Sequence, residues 1–280
     1  MDALYSKVYS YIQSSYAGIF SPEDMQKHFD TYVKVEISRD QFTIVQALTG
    51  LKDGGRLLDL GCGFGSFVLA ARQEGVEAYG VDIAQFDLEF ARKRMDKELD
   101  QQQPQKVYLE RDAQNTKLPD RQFDVITAWN VLEHVPNYKK LIKEANRLLK
   151  EGGYFIGVAP NYFSFRKEAH YQVWWFPLLP KRLGRIYLRL MGKDPSFLDH
   201  SIFYLTNIGT LRALKKAGFK LSDPRWTRFL HPELIRSRSR QKLLVTINRL
   251  KLAKVAKLIF FTSFWNPFKP SIFFCAQRRK

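Results

Sequence analysis

Short apolar runs alternate with segments of helical periodicity through the middle of the chain. In Tyr138–Lys150 apolar residues recur every three or four positions, which predicts an amphipathic helix. Thr206–Gly218 repeats this pattern, with Thr206 placed to cap the helix. Strands are predicted between such helices at Arg56–Leu60, Val76–Ile83, Val107–Glu110, Phe123–Trp129, Tyr154–Ala159, Phe219–Arg228 and Ser271–Arg278. This alternation is typical of an α/β fold in which helices cover both faces of a mostly parallel sheet.

The same pattern divides the chain into parts. Residues 1–50 mix aromatic and charged residues at helical spacing, which predicts an N-terminal helical cap. Residues 51–161 carry the regular alternation and form the predicted core, which residues 206–280 complete. Two stretches, 162–205 and 230–270, lie outside the alternation, and we interpret them as helical insertions that recognise the substrate.

The composition limits the possible classes of protein. A chain of 280 residues, 45% of them apolar, is long enough to bury a core. Cys62 and Cys275 match no spacing of metal ligands, so neither a disulfide framework nor a zinc site is predicted, in keeping with a reducing cytosol. No signal peptide is recognisable, and no apolar stretch reaches the roughly 18 residues of a membrane span. We therefore expect a cytoplasmic protein whose membrane contact is peripheral.

The positive charge is concentrated at one end of the chain. The net charge is +17, and residues 181–280 contain 23 lysines and arginines against four acidic residues. The remaining 180 residues are nearly neutral. The C-terminal third is therefore expected to face an anionic partner, which is either a phospholipid surface or a nucleic acid.

A glycine-rich turn follows the first predicted strand, in the sequence LLDLGCGFGS at residues 57–66. Three glycines allow a tight turn into a helix without side chains that would block a ligand. Asp82 ends the second strand, where a carboxylate can accept hydrogen bonds from both ribose hydroxyls. Asp112 follows the third strand beside Ala113 and can accept one from an adenine amino group. Together with Asp59 in the first strand, these carboxylates predict a nucleoside site, for which we name Asp59, Gly61, Cys62, Gly63, Gly65, Asp82, Ile83, Asp112 and Ala113.

These motifs resemble a known family. LLDLGCGFGS, GVDIA, ERDA, FDVITAWNVLEHV and LLKEGGYFIGVAPN are similar, in order and spacing, to the motifs of class I S-adenosylmethionine methyltransferases, and most of all to the small-molecule branch with ubiquinone-biosynthesis O-methyltransferases. The resemblance covers about 105 residues and implies a Rossmann-like, seven-stranded sheet with an antiparallel last strand. It also implies S-adenosylmethionine as the cofactor, with Asp59 and Gly61 at its methionine end, Asp82 at the ribose, Asp112 and Ala113 at the adenine and Asn130 at the mouth of the pocket.

A nicotinamide-dependent enzyme is the nearest alternative, because it shares the glycine turn and the ribose carboxylate. Ser66 stands where the third glycine of the dinucleotide motif would fall. The carboxylate of Asp59 inside the first strand also suits a ligand that carries an ammonium group. Both features favour S-adenosylmethionine.

The residues after the fourth strand limit the nucleophile that is methylated. Ala128-Trp129-Asn130 stands where amino-methylating enzymes of bases or glutamine carry an Asn/Asp-Pro-Pro-Tyr/Phe motif, and neither cysteine is placed as a covalent nucleophile. An oxygen nucleophile is therefore favoured. His134 is the predicted general base, since it lies at the carboxyl end of the fourth strand and its ordinary pKa is near 6.5. Alternatively, Glu133 and His134 cap the next helix.

Other candidate residues surround this position. Some ubiquinone O-methyltransferases bind a divalent metal through a glutamate that corresponds to Asn130 in this chain, so no metal is predicted. The acceptor is expected to contact residues at the end of the core and in the first insertion, namely Asn161, His170, Trp174 and His200. His170 and His200 are also secondary candidates for the base.

Both insertions combine basic and apolar residues. In the first, three arginines, Arg182, Arg185 and Arg189, share one helical face, and aliphatic residues lie mostly on the opposite side. The second has a basic beginning and the apolar run Leu258–Phe261. Such helices lie in a membrane interface, with arginines on phosphates. Alternatively, they bury their apolar sides on the core.

Three functions remain open. The favoured one is O-methylation of an apolar or lipid-linked small molecule at an anionic membrane surface. The second is methylation of RNA, with the basic third of the chain on phosphates and the aromatic residues stacked on bases. The third is cofactor binding without catalysis. The long aliphatic runs favour the first, because nucleic-acid grooves seldom need them.

Overall fold

A computed structural model describes residues 3–16, 20, 22–99, 103–226, 241–242, 245–246 and 262–279. In chain order the helices are α1 Ala3–Ser15, α2 Pro22–Val33, α3 Val35–Thr49, α4 Ser66–Gln73, α5 Gln85–Leu99, α6 Tyr138–Leu148, α7 Lys181–Leu190, α8 Ser196–Ser201 and α9 Asn207–Lys216. The strands are β1 Arg56–Leu60, β2 Glu77–Asp82, β3 Tyr108–Glu110, β4 Phe123–Trp129, β5 Leu149–Pro160, β6 Arg166–Lys167, β7 Trp174–Trp175, β8 Phe219–Ser222 and β9 Ser271–Arg278.

Seven strands form the main sheet in the order β3-β2-β1-β4-β5-β9-β8. Strands β1 to β5 are parallel, and β9 runs antiparallel to both β5 and β8. This confirms the predicted Rossmann-like α/β sheet with an antiparallel last strand. Leu57, Leu58 and Leu60 of β1 are fully buried, as expected for a central parallel strand covered on both faces.

One predicted strand is too long. Within the predicted strand Phe219–Arg228, the described residues, which end at Trp226, form a strand only as far as Ser222, where pairing with β9 ends. Asp223 then accepts hydrogen bonds from the backbone and guanidinium of Arg225, and Pro224 between them has no N–H to donate to a ladder. Asp223 and Pro224 thus turn the chain out of the sheet.

The N-terminal helices lie at the end of the sheet where β1 and β2 finish. Helix α3 packs on α4, and an aromatic cluster joins α1 and α2 to Phe64 and Phe90 next to the glycine-rich turn. The hydroxyl of Ser66, in the first turn of α4, donates to the carbonyl of Tyr32 at 2.5 Å. The segment assigned to the helical cap therefore covers the turn.

The first insertion has a small core of its own. A two-stranded hairpin, β6 and β7, packs with α7 and α8 around buried aromatic and aliphatic side chains, Tyr162, Tyr171, Val173, Trp175, Leu188, Leu198 and Ile202. Sequence periodicity did not predict this hairpin. Most of the second predicted insertion, 230–270, including Leu258–Phe261, lies outside the described residues. Within the part of the chain that is described, no helix has the length and apolar character needed to cross a bilayer.

Candidate active site

A cavity of about 630 Å³ opens at the carboxyl ends of the parallel strands. In a doubly wound sheet this edge is the ordinary place for a ligand. Three parts of the chain line the cavity: the ends of the core strands, the N-terminal helices and the first insertion. The polar and small residues that matter for chemistry are His28, Tyr32, Gly61, Asp82, Asp112, Asn130, Glu133, His134, Arg166 and His170.

Gly61 makes the first bend after β1. Its φ is +72°, and a Cβ atom built there would stand 2.5 Å from Cγ2 of Val131. Its N–H donates to the carbonyl of Val81 at 2.8 Å, which fixes the bend against β2. Backbone conformation and close packing both require glycine here. The result is a backbone wall of the cavity without a side chain.

The carboxylate of Asp82 ties the glycine turn to the end of β2. One oxygen accepts from the N–H of Gly63 at 2.8 Å, and the other accepts from those of Ile83 and Ala84 at 2.7 and 3.0 Å. These bonds hold the carboxylate at the cavity wall, where its remaining lone pairs can accept from hydroxyl groups. Asp112, at the end of β3, is held in the same way by the N–H of Gln114.

Asp59 lies behind the turn rather than in the cavity wall. It is 3% exposed, and the hydroxyl of Thr127 on β4 donates to it at 2.6 Å. Burial, opposed by the Thr127 hydrogen bond, raises the pKa of Asp59 to about 7. A cationic ligand group nearby would favour the charged carboxylate.

His134 is held by a backbone carbonyl. Its Nδ1 lies 2.6 Å from the carbonyl oxygen of Ser201, which can only accept, so Nδ1 carries the proton and Nε2 has a lone pair. Burial and the neighbouring His170 lower the pKa of His134 to about 4. At neutral pH the ring is therefore uncharged.

A second imidazole faces the same cavity, and this one has a carboxylate partner. Nδ1 of His170 lies 2.9 Å from Oε1 of Glu168, which is 1% exposed. Burial would raise the pKa of Glu168, but the hydrogen bond from His170 and the charge of Arg166, joined by that of His170 when it is protonated, lower it overall, so this carboxyl is ionised. The rings of His134 and His170 are 5.0 Å apart at 82°.

Glu133 adds a protonated carboxyl to the site. It is 1% exposed, its Oε2 has no hydrogen-bond partner, and burial raises its pKa to about 8. A buried polar atom without a partner is unfavourable unless a ligand supplies one. Asn137, and not this residue, caps helix α6. No group of three or more His, Cys, Asp or Glu side chains suited to a metal occurs in the residues that the structure describes.

The N-terminal helices contribute His28 and Tyr32 to the wall. Nε2 of His28 is buried without a hydrogen-bond partner. Burial, with a smaller contribution from His170, lowers the pKa of His28 to about 4. The rings of His28 and Tyr32 pack edge to face at 4.7 Å. The cap therefore closes the cavity from above the glycine turn.

Most of the predicted site residues meet at this cavity. Those in its wall are Gly61, Asp82, Ile83, Asp112, Ala113, Asn130, His134 and His170. The other predicted nucleoside-site residues do not line the cavity: Asp59 lies in β1, and Cys62, Gly63 and Gly65 lie in the turn itself. Cys62, for example, is buried against Gly80, and burial raises the pKa of its thiol.

Three predicted acceptor contacts do not reach the cavity. Asn161 is fully buried, and its amide joins the carbonyls of Pro267 and Lys269 to the N–H groups of Phe163 and Asn207, so it holds the chain together. Trp174 is 57% exposed and stacks on Phe165, and His200 is exposed on α8. None of the three lines the cavity, since the core uses the Asn161 amide and the side chains of Trp174 and His200 are exposed; their contact with the acceptor stays a prediction.

Sequence reasoning missed four residues of the cavity or its support: His28, Tyr32, Glu133 as a ligand-facing group, and Glu168. The Glu168-x-His170 spacing was a usable signal, because a carboxylate two residues before a histidine can accept from its ring. Nothing in the sequence brings residues 28 and 32 next to residue 170, since that contact depends on how the cap folds over the core.

Comparison with known proteins agrees with this geometry. A family model described as a methyltransferase domain matches residues 29–221. The ubiquinone biosynthesis O-methyltransferase of Coxiella burnetii is 31% identical over 130 residues, which are 46% of this chain and 54% of that protein. The demethylmenaquinone methyltransferase of Lysinibacillus sphaericus is 26% identical over 174 residues, 61% of this chain and 72% of that protein. The chain thus spans about half the length of the first of these relatives.

Solved structures show the same fold. Phosphoethanolamine N-methyltransferase 2 of Haemonchus contortus, in complex with S-adenosyl-L-methionine, superposes with a TM-score of 0.52 at 21% identity, over 85% of this chain and 52% of that one. An S-adenosylmethionine-dependent methyltransferase of Mesorhizobium loti gives 0.53 at 18% identity, over 87% and 100%. At these identities the likeness concerns the fold alone.

Proposed function

We propose, from the premise that the chain belongs to the class I S-adenosylmethionine-dependent methyltransferases, that it transfers a methyl group from this cosubstrate to an oxygen of an apolar or lipid-linked small molecule. The observation that carries the proposal is one cavity in which the Gly61 bend and the Asp82 and Asp112 carboxylates meet two uncommitted imidazole nitrogens. A nucleoside can bind at one end of such a cavity and a hydroxyl group at the other.

The residues present fit the cosubstrate. The Gly61 backbone forms a wall that any Cβ would fill, and the carboxylates of Asp82 and Asp112 would hold its ribose and adenine. Ile83, which is 72% exposed, would flank the adenine. When bound, S-adenosylmethionine supplies a methyl group on a positively charged sulfur. The protein then has to align the acceptor and remove one proton.

We assign the removal of that proton to His170. Once protonated, its ring would carry a positive charge, and the Glu168 carboxylate already lies 2.9 Å from Nδ1 to stabilise it. His134 lacks such a carboxylate, and its lowered pKa makes it a weak base. Its free Nε2 suits a hydrogen bond from a second polar group of the acceptor, because the hydroxyl that is methylated has a single proton and donates it to His170. In this scheme His134 orients the acceptor, and His170 removes the proton.

The cavity also supports an apolar acceptor. Beyond the carboxylates, its wall includes a group of aliphatic and aromatic side chains, Trp129, Val131, Val135, Val158, Ala159 and Pro160, beside polar residues that include Arg111 and Arg166. The apolar group favours an apolar ring or chain as part of the acceptor. RNA methylation is the second candidate, and its support is the basic C-terminal third.

Transfer of a labelled methyl group tests the proposal. The purified protein is incubated with methyl-labelled S-adenosylmethionine and either an organic extract or total RNA of the source cells. We expect label in the organic fraction, and D82A should abolish it. Label in RNA alone would establish the second candidate instead. Calorimetric binding of NAD, with none of S-adenosylhomocysteine, would reject the family's cosubstrate for this chain. Cosubstrate binding with no labelled product in either fraction would leave a binding protein without catalysis.

A further inference from the structure

Large apolar side chains are exposed mainly in one part of the described chain. Eight of them fall between residues 165 and 191, and we call this set the apolar face: Phe165, Trp174, Phe176, Leu178, Leu183, Ile186, Leu190 and Met191. Single exposed apolar residues are common, but a contiguous group marks an interaction surface. The apolar face lies outside the cavity described above.

Helix α7 turns its aliphatic stripe away from the protein. Its contact with the core is made by Gly184 and Leu188, and a Cβ on Gly184 would stand 3.1 Å from both Trp175 and Leu198. The opposite side therefore faces solvent, where Leu183 and Ile186 are each 54% exposed and Leu190 is 81% exposed. Burial of the apolar side on the core, the alternative considered from the sequence, does not occur in α7.

The hairpin extends this surface. The ring of Phe165 stacks on that of Trp174 with centroids 5.1 Å apart and planes within 4°, and Phe176 lies 5.6 Å from Phe165. The hydroxyl of Tyr187 in α7 donates to the carbonyl of Trp174 at 2.9 Å. Because this contact joins the hairpin to the helix, aromatic and aliphatic side chains form one continuous patch.

Arginines border the aliphatic stripe of α7 on the side away from the hairpin. At about 100° per residue, Arg182 and Arg189 lie beside Ile186, and both are exposed. Arg185, next to them, lies 3.2 Å from Asp199 and is partly buried. A partner that binds this surface must therefore offer apolar contact and negative charge side by side.

We infer that the apolar face docks on the surface of an anionic phospholipid bilayer. Aromatic rings and aliphatic side chains enter the boundary of headgroups and acyl chains, and the arginines contact phosphates. A nucleic acid would match the arginines but would leave the aliphatic stripe in water. The purpose of docking rests on the proposed function, because the hairpin that carries Trp174 also carries Glu168 and His170 of the proposed mechanism. Docking thus brings the acceptor end of the cavity close to the lipid.

Vesicle binding by the full-length protein tests this inference. Sedimentation with vesicles of phosphatidylcholine and phosphatidylglycerol is compared for the wild type, L183Q/I186Q/L190Q and R182E/R189E. We expect each variant to bind at least about tenfold more weakly, because three buried aliphatic side chains, or four units of charge, are lost. The matched control R212E/K216E makes the same charge change on exposed positions of α9 and should bind like the wild type.

The outcomes separate docking from the proposed reaction. S-adenosylhomocysteine affinity is measured for every variant and is expected to stay unchanged, since none of the substituted residues lines the cavity. Unchanged vesicle binding by L183Q/I186Q/L190Q would overturn the inference. An equal loss in R212E/K216E would also overturn it, because attraction would then depend on net charge alone. A failure of the methyl-transfer assay with intact vesicle binding would reject the reaction and leave the docking surface standing.

Discussion

The two imidazole rings at the cavity differ in what holds their Nδ1 atoms. A neutral carbonyl holds that of His134, and the more distant Glu168 carboxylate raises the pKa of this ring by less than burial and His170 lower it. An ionised carboxylate holds that of His170, and the buried position of Glu168 strengthens the interaction because water does not screen it. With the rings 5.0 Å apart, protonation of one disfavours protonation of the other. For this reason the proposed mechanism assigns the acceptor's proton to His170 and not to His134.

We expect H170A to lower kcat by about 100-fold or more, in the range usual for loss of a general base, and to leave S-adenosylhomocysteine affinity unchanged. H134A should act mainly on KM for the acceptor, because it removes an orienting hydrogen bond. H200A, at an exposed histidine outside the cavity, is the control. A loss of kcat in H134A, with normal turnover in H170A, would return the role of base to His134.

In the proposed mechanism Glu168 acts through His170 and is a positioning residue. Its substitution should therefore have an effect on catalysis that a loss of structure alone would not produce. E168Q keeps a hydrogen-bond acceptor for Nδ1 but removes the negative charge. We expect the acidic limb of the pH profile of kcat/KM to move to lower pH, because His170 acts as a base only when it is unprotonated and its imidazolium form loses its partner. An unchanged profile with reduced thermal stability would mean that Glu168 has a structural role alone.

Asp59 makes stability depend on pH. Its folded-state pKa of about 7 lies above the value near 3.9 in an unfolded chain, so the folded protein holds the extra proton between these two values. Stability from this residue is present in full below about pH 4 and is lost as pH rises through about 7. The ligand-free wild type should therefore lose stability relative to D59N between pH 5 and pH 8, by about 3 kcal/mol.

Urea unfolding at several pH values measures this difference. The amide of D59N can still accept from Thr127, so the packing of β1 against β4 is kept. His28 and His134, whose lowered pKa values act in the opposite direction, are common to both proteins and cancel in the comparison. Parallel stability curves for wild type and D59N would show that Asp59 is ionised in the folded state at neutral pH.

At the scale of elements, the turn from β1 into α4 depends on Gly61 for two separable reasons. G61A would meet both an unfavourable φ of +72° and a contact of 2.5 Å with Val131, whereas G54A meets a φ of +73° with open space around it. We expect G54A to cost about 1–2 kcal/mol of stability from strain alone and G61A to cost more. G61A should also weaken S-adenosylhomocysteine binding. Equal costs, measured by urea unfolding, would mean that Val131 moves aside freely.

The glycine turn and the strands were predictable because their signals are local. LLDLGCGFGS contains a buried strand, a bend and a helix start within ten residues, and Thr206 caps α9 through Gly209 as its position predicted. The roles of Asn161 and Trp174 were not predictable in the same way. The partners of Asn161 lie as far as 108 residues away, and the direction of Trp174 follows from a hairpin of four paired residues that has no periodicity to detect.

Helix α7 shows the limit of amphipathic patterns. The pattern separates arginines from aliphatic residues correctly, but it does not say which side meets the core. A glycine and one leucine make that contact, because the small Gly184 lets the helix approach Trp175 closely. A side that looks suited to the core is thereby left exposed, and only the tertiary structure reveals it.

At the scale of the whole molecule, the cavity exists only where three distant parts of the chain meet. Helix α2 supplies His28 and Tyr32, the sheet supplies the Asp82 and Asp112 carboxylates, and the hairpin region supplies His170. A ligand that contacts all three parts binds the folded state and has no equivalent site in the unfolded one. Its binding free energy is therefore added to the stability of the entire fold.

Thermal unfolding of the protein with and without ligand measures this linkage. At a concentration of 100 times its Kd, S-adenosylhomocysteine should stabilise the protein by about 2.7 kcal/mol, which is a rise in Tm of roughly 5 °C for a chain of this size. NAD should give no rise. D82A should lose most of the ligand-induced rise, because the ribose loses its acceptor, whereas D96A, at an exposed position on α5, should keep it. The rise is compared within each variant, so a lower starting Tm in D82A does not affect the result. A full rise in D82A would mean that the nucleoside does not bind at the end of β2.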